Sequence, residues 1–165
     1  MSTKKVLMSS PEYFKVEYSI NPWMIEGTEV DLELATRQWN NLKTTIELSG
    51  AEVLLVPAHP DQPDLVFTAN SGIIKDDKVL IANFKFNERV GEEALFENWF
   101  KDNGYQVGRI PKEFKFEGRG DAFVYGDKLI GSYGIRSDKE ALIYIARSEE
   151  HTSELQSQFR ISYAV

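Results

Sequence analysis

Two carboxylates spaced by glycines, Glu117-Gly-Arg-Gly-Asp121, form the pattern in this chain best suited to chemistry. Glycines at 118 and 120 let the backbone come close to a ligand and hold both acids at one end of a strand. A second cluster, Asn87-Glu-Arg89-Val-Gly-Glu92-Glu93, reads as the start of a helix. Glu92 and Glu93 suit the positive end of the helix dipole, whereas Arg89 sits poorly there unless it faces an anion. In a third, Asp64-Leu-Val-Phe67-Thr-Ala-Asn70, an acid just precedes a strand, an aromatic ring lies within it, and an amide has the opposite parity. Arg136, just past Gly131-Ser-Tyr-Gly134, adds a cation at a strand-to-helix junction. Taken singly, each has an ordinary structural explanation: an acidic turn, an exposed arginine, a capping Asp with a turn-forming Asn.

What the chain lacks narrows the chemistry. It has no cysteine, which excludes disulfides, thiolate metal sites and cysteine catalysis for the chain as it stands. Of its two histidines, His59 lies between prolines in a polar loop and His151 lies near the C-terminus. The 19 basic and 26 acidic residues give a net charge of −7, which argues against sequence-independent nucleic-acid binding. Apolar residues make up 42% and aromatics 12%, enough for a packed core. No apolar run approaches the ~20 residues that span a membrane. The start, Met1-Ser-Thr-Lys-Lys-Val-Leu-Met8, turns polar at once and shows no secretory signal. A cytoplasmic location is the default expectation, with neither nucleic acid nor membrane as partner.

Alternating elements must position these residues. A strand at Lys5–Met8 precedes a loop with Asn21-Pro-Trp-Met24, then a helix that Thr28 can cap with Asp31 three residues on. Ala35, Trp39, Leu42 and Ile46 give that helix one apolar face, and Gly50 ends it. Val53–Val56 reads as a buried strand. Leu65–Ile74 and Lys78–Phe84 read as strands around Lys75-Asp-Asp, followed by a helix over 91–103 with Leu95, Trp99 and Phe100 inward. Tyr105–Ile110 is the next strand. Ala122–Tyr125 and Lys128–Ser132 then pair around Gly126-Asp127, a hairpin signal, and a helix starts near Ser137. The order strand, strand, helix, strand recurs with a period of ~50–60 residues, the mark of a radially repeated architecture. Two and a fraction such units are too few to close a ring.

Together the clusters resemble the guanidino-modifying enzymes of the pentein superfamily, nearest the dimethylarginine dimethylaminohydrolase and amidinotransferase group. The resemblance runs through Val6-Leu-Met8, Ile20-Asn-Pro-Trp-Met24, Asp64-Leu-Val-Phe67, Arg89-Val-Gly-Glu92, Glu117-Gly-Arg-Gly-Asp121 and Ile135-Arg136, covering residues 5–140 in order. It implies an α/β propeller of five pseudo-symmetric ββαβ units, of which this chain would hold about half. By that resemblance Glu117 is catalytic, orienting a histidine and gripping a guanidinium. Asp64 holds the substrate, Phe67 packs on its alkyl chain, and Asn70 joins the substrate-binding set. Arg89 and Arg136 match arginines that bind the amino-acid carboxylate, where bidentate geometry favours Arg over Lys. The loop around Trp23 matches a mobile lid. Neither metal nor cofactor is implied.

The chemistry so implied attacks a guanidinium carbon, a poor electrophile because its charge spreads over three nitrogens. Acids fix the planar cation, a cysteine thiolate attacks, and a histidine protonates the departing amine. Water then hydrolyses the thiouronium, giving citrulline in hydrolases, or another amine accepts the amidine group in amidinotransferases. The sequence departs from this pattern twice. Ala69-Asn70 stands where classical dimethylargininases have adjacent Glu and Asp, and an uncharged amide replaces that pair only in part. The histidine and cysteine of the family belong to the second half of the ring. A catalytically idle chain is therefore expected, from a parent acting on arginine or methylarginine. An amidinotransferase, a binding-only pentein like the ribosome anti-association factor, and an unrelated α/β domain are the alternatives.

The end of the chain carries a separate expectation. Arg147 to Ser157 is the in-frame translation of a common sequencing-library adapter, codon for codon. Residues 1–146 are thus expected to be the N-terminal part of a pentein domain and 147–165 a foreign tail. The tail holds two arginines and three glutamates, which leaves −6 for the remainder. Half a ring exposes strand edges and apolar helix faces, so a marginal fold and a swapped homodimer are expected.

Overall fold

The computed structural model describes residues 4–126 and 128–150. Two compact units divide at Thr68 and Ala69.

The first unit is a strand, a helix and a parallel strand. β1 (Lys5–Ser9) pairs with β2 (Glu52–Val56) from Lys5 opposite Glu52 to Ser9 opposite Val56. A parallel pair needs a long crossover, and α1 (Leu32–Leu48) supplies it. Its cap is Asp31, not Thr28: the Asp31 carboxylate accepts the Leu34 N–H at 2.8 Å, while the Thr28 hydroxyl donates to the Ile25 carbonyl. Gly50, at φ +87°, follows the helix end as expected. Ala35, Trp39 and Ile46 face inward but are only half-buried, and Leu42 is 54% exposed. Two strands spaced by about 4.8 Å are narrower than a helix about 10 Å across, so the apolar face is incompletely covered. For the same reason β2 is not a buried strand: Val56 is inside but Leu55 is exposed.

The stretch expected as strand from Leu65 onward is not one. Pro63–Val66 and Thr68–Ser71 form 3-10 turns, and β3 is confined to Gly72–Lys75. The N–H groups of Leu65 and Phe67 bond three residues back, to Gln62 and Asp64. Pro63 at the start and Asn70-Ser71-Gly72 at the end favour turns over a ladder, which the apolar Leu-Val-Phe centre masks.

The second unit follows the strand, strand, helix, strand order expected from the sequence. β3 runs antiparallel to β4 (Lys78–Ile81) around Asp76, at φ +55°, and β5 (Gln106–Arg109) lies parallel to β4 on its other side. Between β4 and β5 comes α2 (Asn87–Asp102), which starts four residues earlier than the sequence suggests. The shift changes its inward face to Arg89, Glu92, Phe96 and Phe100, leaving Leu95 and Trp99 half-buried. Strand–helix–parallel strand therefore occurs twice, as β1-α1-β2 and β4-α2-β5. β6 (Ala122–Tyr125) and β7 (Lys128–Gly131) form the expected antiparallel hairpin, though its turn residue Asp127 lies outside the described residues. α3 (Lys139–Glu150) packs Ala141, Leu142 and Ile145 with Ile73, Ile110, Phe116, Ala122 and Leu129 in one core. α3 continues through Arg147, and the rest of the expected tail, 151–165, lies outside the described residues. Among the described residues no helix is long and apolar enough to cross a membrane.

Candidate active site

Four of the six expected site residues, Asn70, Arg89, Glu117 and Arg136, meet in the second unit. Glu117 follows Phe116, whose N–H and C=O both bond to Asn83, and precedes a 3-10 turn at Gly118–Gly120. Its side chain is 1% exposed. Gly118 has φ +59°, and a Cβ there would lie 2.7 Å from the Gly72 nitrogen and 2.8 Å from the Asn70 carbonyl. A Cβ at Gly120 would collide with the Asn70 amide. The glycines do permit a close approach, but what comes close is the Asn70 segment of the chain itself.

Asn70, 8% exposed, is engaged at both ends of its amide. Its Nδ2 donates to the Glu117 carbonyl at 3.0 Å, and its Oδ1 accepts from Arg89 Nη1 at 3.2 Å. A carboxylate could accept from Arg89 but could not donate to a carbonyl. That geometry is a physical reason for an amide at this position.

Arg89 is not a cation at an exposed helix start. It is the third residue of α2 and is 3% exposed. Nε and Nη2 donate to the two oxygens of Glu92, each at 2.7 Å, while the guanidinium carbon stands 4.5 Å from the Phe84 ring centre. Bidentate pairing and stacking together suit arginine rather than lysine. Nη1 also lies 3.8 Å from Glu117 Oε2.

Arg136 approaches the same carboxylate oxygen, with Nη1 at 3.3 Å. Its Nη2 donates to Asp121 Oδ1 at 2.6 Å and to the Gly120 carbonyl at 3.3 Å. The side chain is 39% exposed, and its Nε–H bonds to no described residue. Ser137, 1% exposed, accepts the Glu117 N–H at 3.0 Å and donates to Asp121 Oδ2 at 2.6 Å. The cluster thus carries two guanidinium groups and three carboxylates, formally −1.

The sequence marks Asp121 as a second acid beside Glu117, Glu92 as a helix-dipole partner and Ser137 as a helix start, but gives none of the three a part in the site. Glu92 passes for a helix-dipole partner as long as α2 is taken to begin at Gly91. Once Asn87 starts the helix, the three-residue spacing of Arg89 and Glu92 places them on one face.

The remaining two expected residues belong to the first unit. Asp64 is 3% exposed within its 3-10 turn, not at a strand start. Phe67 ends that turn, is 46% exposed, and meets the Phe14 ring edge-on at 5.6 Å. In the Trp23 loop, the Asn21 side chain accepts the N–H groups of Trp23 and Met24, which leaves Trp23 87% exposed.

A mixed α/β chain with repeated strand–helix–strand units, one of which carries a buried cluster of acids and arginines, has the fold of a partial pentein. Its homologues within that superfamily are arginine dihydrolases and dimethylarginine dimethylaminohydrolases. It is 40% identical over 147 residues to the bifunctional arginine dihydrolase/ornithine cyclodeaminase ArgZ of Synechocystis, covering 87% of this chain and 21% of that protein. It is 36% identical over 144 residues to the dimethylarginine dimethylaminohydrolase of Mycobacterium tuberculosis, covering 87% and 47%. The solved N-terminal domain of ArgZ, a cysteine-to-serine variant bound to substrate, superposes with a TM-score of 0.86 at 36% identity, covering 98% of this chain and 58% of that one. No family model matches the chain. The chain spans about half the length of the dimethylarginine dimethylaminohydrolase it matches and about a fifth of ArgZ.

Proposed function

We propose that this chain is the N-terminal part of a hydrolase that cleaves amidine C–N bonds in arginine or a methylated arginine. The observation that carries the reading is Glu117, a buried carboxylate with the guanidinium groups of Arg136 and Arg89 at 3.3 and 3.8 Å from one oxygen. An acid that holds planar cations in the interior, within a cluster formally one charge negative, is suited to a monocationic head group. That ArgZ is an arginine dihydrolase solved with substrate bound supports the same ligand class.

In this reading Glu117 grips the guanidinium and orients the histidine, Asp64 holds the substrate, and Phe67 packs on its alkyl chain. Arg136, partly exposed and with an Nε–H that makes no hydrogen bond to a described residue, takes the larger share of the ligand carboxylate. Arg89, already clamped by Glu92, contributes charge and fixes Asn70 beside Glu117. The thiolate that attacks and the histidine that protonates the leaving amine belong to residues beyond position 146, and 147–165 is foreign sequence. A cytoplasmic enzyme and a homodimer complete the proposal.

The test compares this chain with the protein translated from the uninterrupted reading frame. Citrulline release from L-arginine and methylarginine is expected from the longer protein only. Turnover by the 165-residue chain above a heat-killed control would refute the assignment of the nucleophile. A longer protein that leaves both substrates intact would refute the activity.

A further inference from the structure

We infer that Asp121 and Ser137 form a latch that positions Arg136 and Glu117 for a ligand, an inference that rests on the guanidino reading of this site. The contacts close a circuit. Ser137 Oγ accepts the Glu117 N–H at 3.0 Å and donates its hydroxyl hydrogen bond to Asp121 Oδ2 at 2.6 Å. The other oxygen of Asp121 takes Arg136 Nη2 at 2.6 Å, and Arg136 Nη1 returns to Glu117 Oε2 at 3.3 Å. Three side chains thereby tie the main chain of Glu117 to its own carboxylate.

The direction of each bond follows from donor and acceptor counts. A hydroxyl has one proton, so a serine that donates to Asp121 keeps its lone pairs for the Glu117 N–H. The charge on Asp121 therefore fixes the orientation of the Ser137 hydroxyl, and through it the anchor of Glu117. Both bonds to Asp121 have the short length of charge-assisted hydrogen bonds.

The latch orients Arg136 without exhausting it. Its two Nη atoms are tethered inward, while its Nε–H meets no described residue and the side chain is 39% exposed. A ligand carboxylate then meets a guanidinium already held in plane. A loose Arg136 would have to be ordered at each binding event, an entropic loss that falls on affinity. Asp121 and Ser137 need not touch the ligand; they are positioning residues. Their effect through Arg136 falls on ligands that carry a carboxylate, and their effect through Glu117 on any guanidinium.

The experiment uses NMR on this chain and two ligands, L-arginine and its decarboxylated analogue agmatine. Asp121→Asn should speed rotation of the Arg136 guanidinium at least tenfold while that of Arg89, clamped by Glu92, changes less than twofold. Ser137→Ala should raise hydrogen exchange of the Glu117 amide at least tenfold, and Ser137→Thr, which restores the hydroxyl, should return it to the wild-type rate. Asp121→Asn should weaken arginine binding about tenfold and agmatine binding by clearly less, because only arginine offers Arg136 a carboxylate. Unchanged Arg136 rotation, unchanged Glu117 exchange, or equal losses for both ligands would each overturn the latch. If the wild-type chain bound neither ligand, the guanidino reading would fall, and rotation and exchange alone would judge the latch.

Discussion

Asn70 and Glu117, separated by 47 positions, are joined by a buried hydrogen bond of 3.0 Å from the Asn70 amide to the Glu117 main-chain carbonyl. The same amide accepts from Arg89 at 3.2 Å, so one neutral side chain satisfies a cation and a carbonyl together. Position 70 thereby sets the path of the backbone that presents Glu117.

Asn70→Asp should be destabilising although it preserves shape. The new carboxylate would confront the Glu117 carbonyl with no proton to share, and an unsatisfied buried acceptor costs about 1–3 kcal/mol. The loss should appear as a lower urea midpoint with an unchanged slope. It should shrink at acidic pH, where a protonated Asp regains a donor. An Asp variant as stable as wild type at neutral pH would mean that the Asn70 bond contributes nothing.

Arg89 and Glu92 form a buried ion pair with two bonds of 2.7 Å. Removing one partner strands the other charge in the core, a loss of about 3–5 kcal/mol. Arg89→Met should thus approach global unfolding. The double variant Arg89→Met with Glu92→Leu should lose clearly less than the two single losses combined, because no charge is left unpaired. Additive losses in a double-mutant cycle would contradict a buried, coupled pair.

Much of the architecture is legible from residue patterns. The hairpin at Ala122–Tyr125 and Lys128–Gly131, the helix closed by Gly50, and the recurring strand–helix–strand order all follow from local spacing. The family resemblance, not spacing, groups Asn70, Arg89, Glu117 and Arg136, and the fold brings these four side chains within reach of one another. What stays hidden is set by long-range contacts. Leu65–Val66–Phe67 has strand composition, yet the Thr68 hydroxyl binds the Leu7 carbonyl and the backbone turns instead. Arg89 looks like a poor helix-start residue until Glu92, Phe84 and Asn70 are seen around it. Asp121 shows in the sequence as a second acid beside Glu117 and Ser137 only as a helix start, and their bonds to Arg136 and to the Glu117 main chain emerge from the fold alone.

Two glycines with nearly equal backbone angles should respond differently to alanine. Gly118 and Gly126 have φ of +59° and +62°. At Gly126 a Cβ meets nothing within 4 Å, so Gly126→Ala bears only the left-handed strain of about 1–2 kcal/mol. At Gly118 the Cβ would press on the Gly72 nitrogen and the carbonyls of Ala69 and Asn70, all within 2.9 Å. Gly118→Ala should therefore lose well over the Gly126→Ala value and shift the Glu117 and Asn70 amide resonances. Equal losses for the two variants would show that the close approach at Gly118 is relieved at little cost.

The outer face of α2 sets a pH dependence. Lys101 Nζ lies 2.7 Å from Glu97 Oε1, and Arg109 Nε donates to Glu97 Oε2 at 2.9 Å. The hydrogen bond from Lys101, followed by that from Arg109, holds the Glu97 carboxyl below its ordinary value of 4.5. A depressed carboxylate stabilises the fold fully above its unfolded value, and that stabilisation fades as pH falls through the folded one. Wild type should therefore exceed Glu97→Gln by a constant margin from neutral pH down to about pH 5.5, with the margin fading as the pH falls below the ordinary carboxyl value of 4.5. Because these groups border solvent, the margin should be about 1 kcal/mol or less and should decrease in 1 M salt. Urea unfolding of both chains across this range is the measurement. A margin that grew as the pH dropped would have the wrong sign for a carboxylate held by two cations.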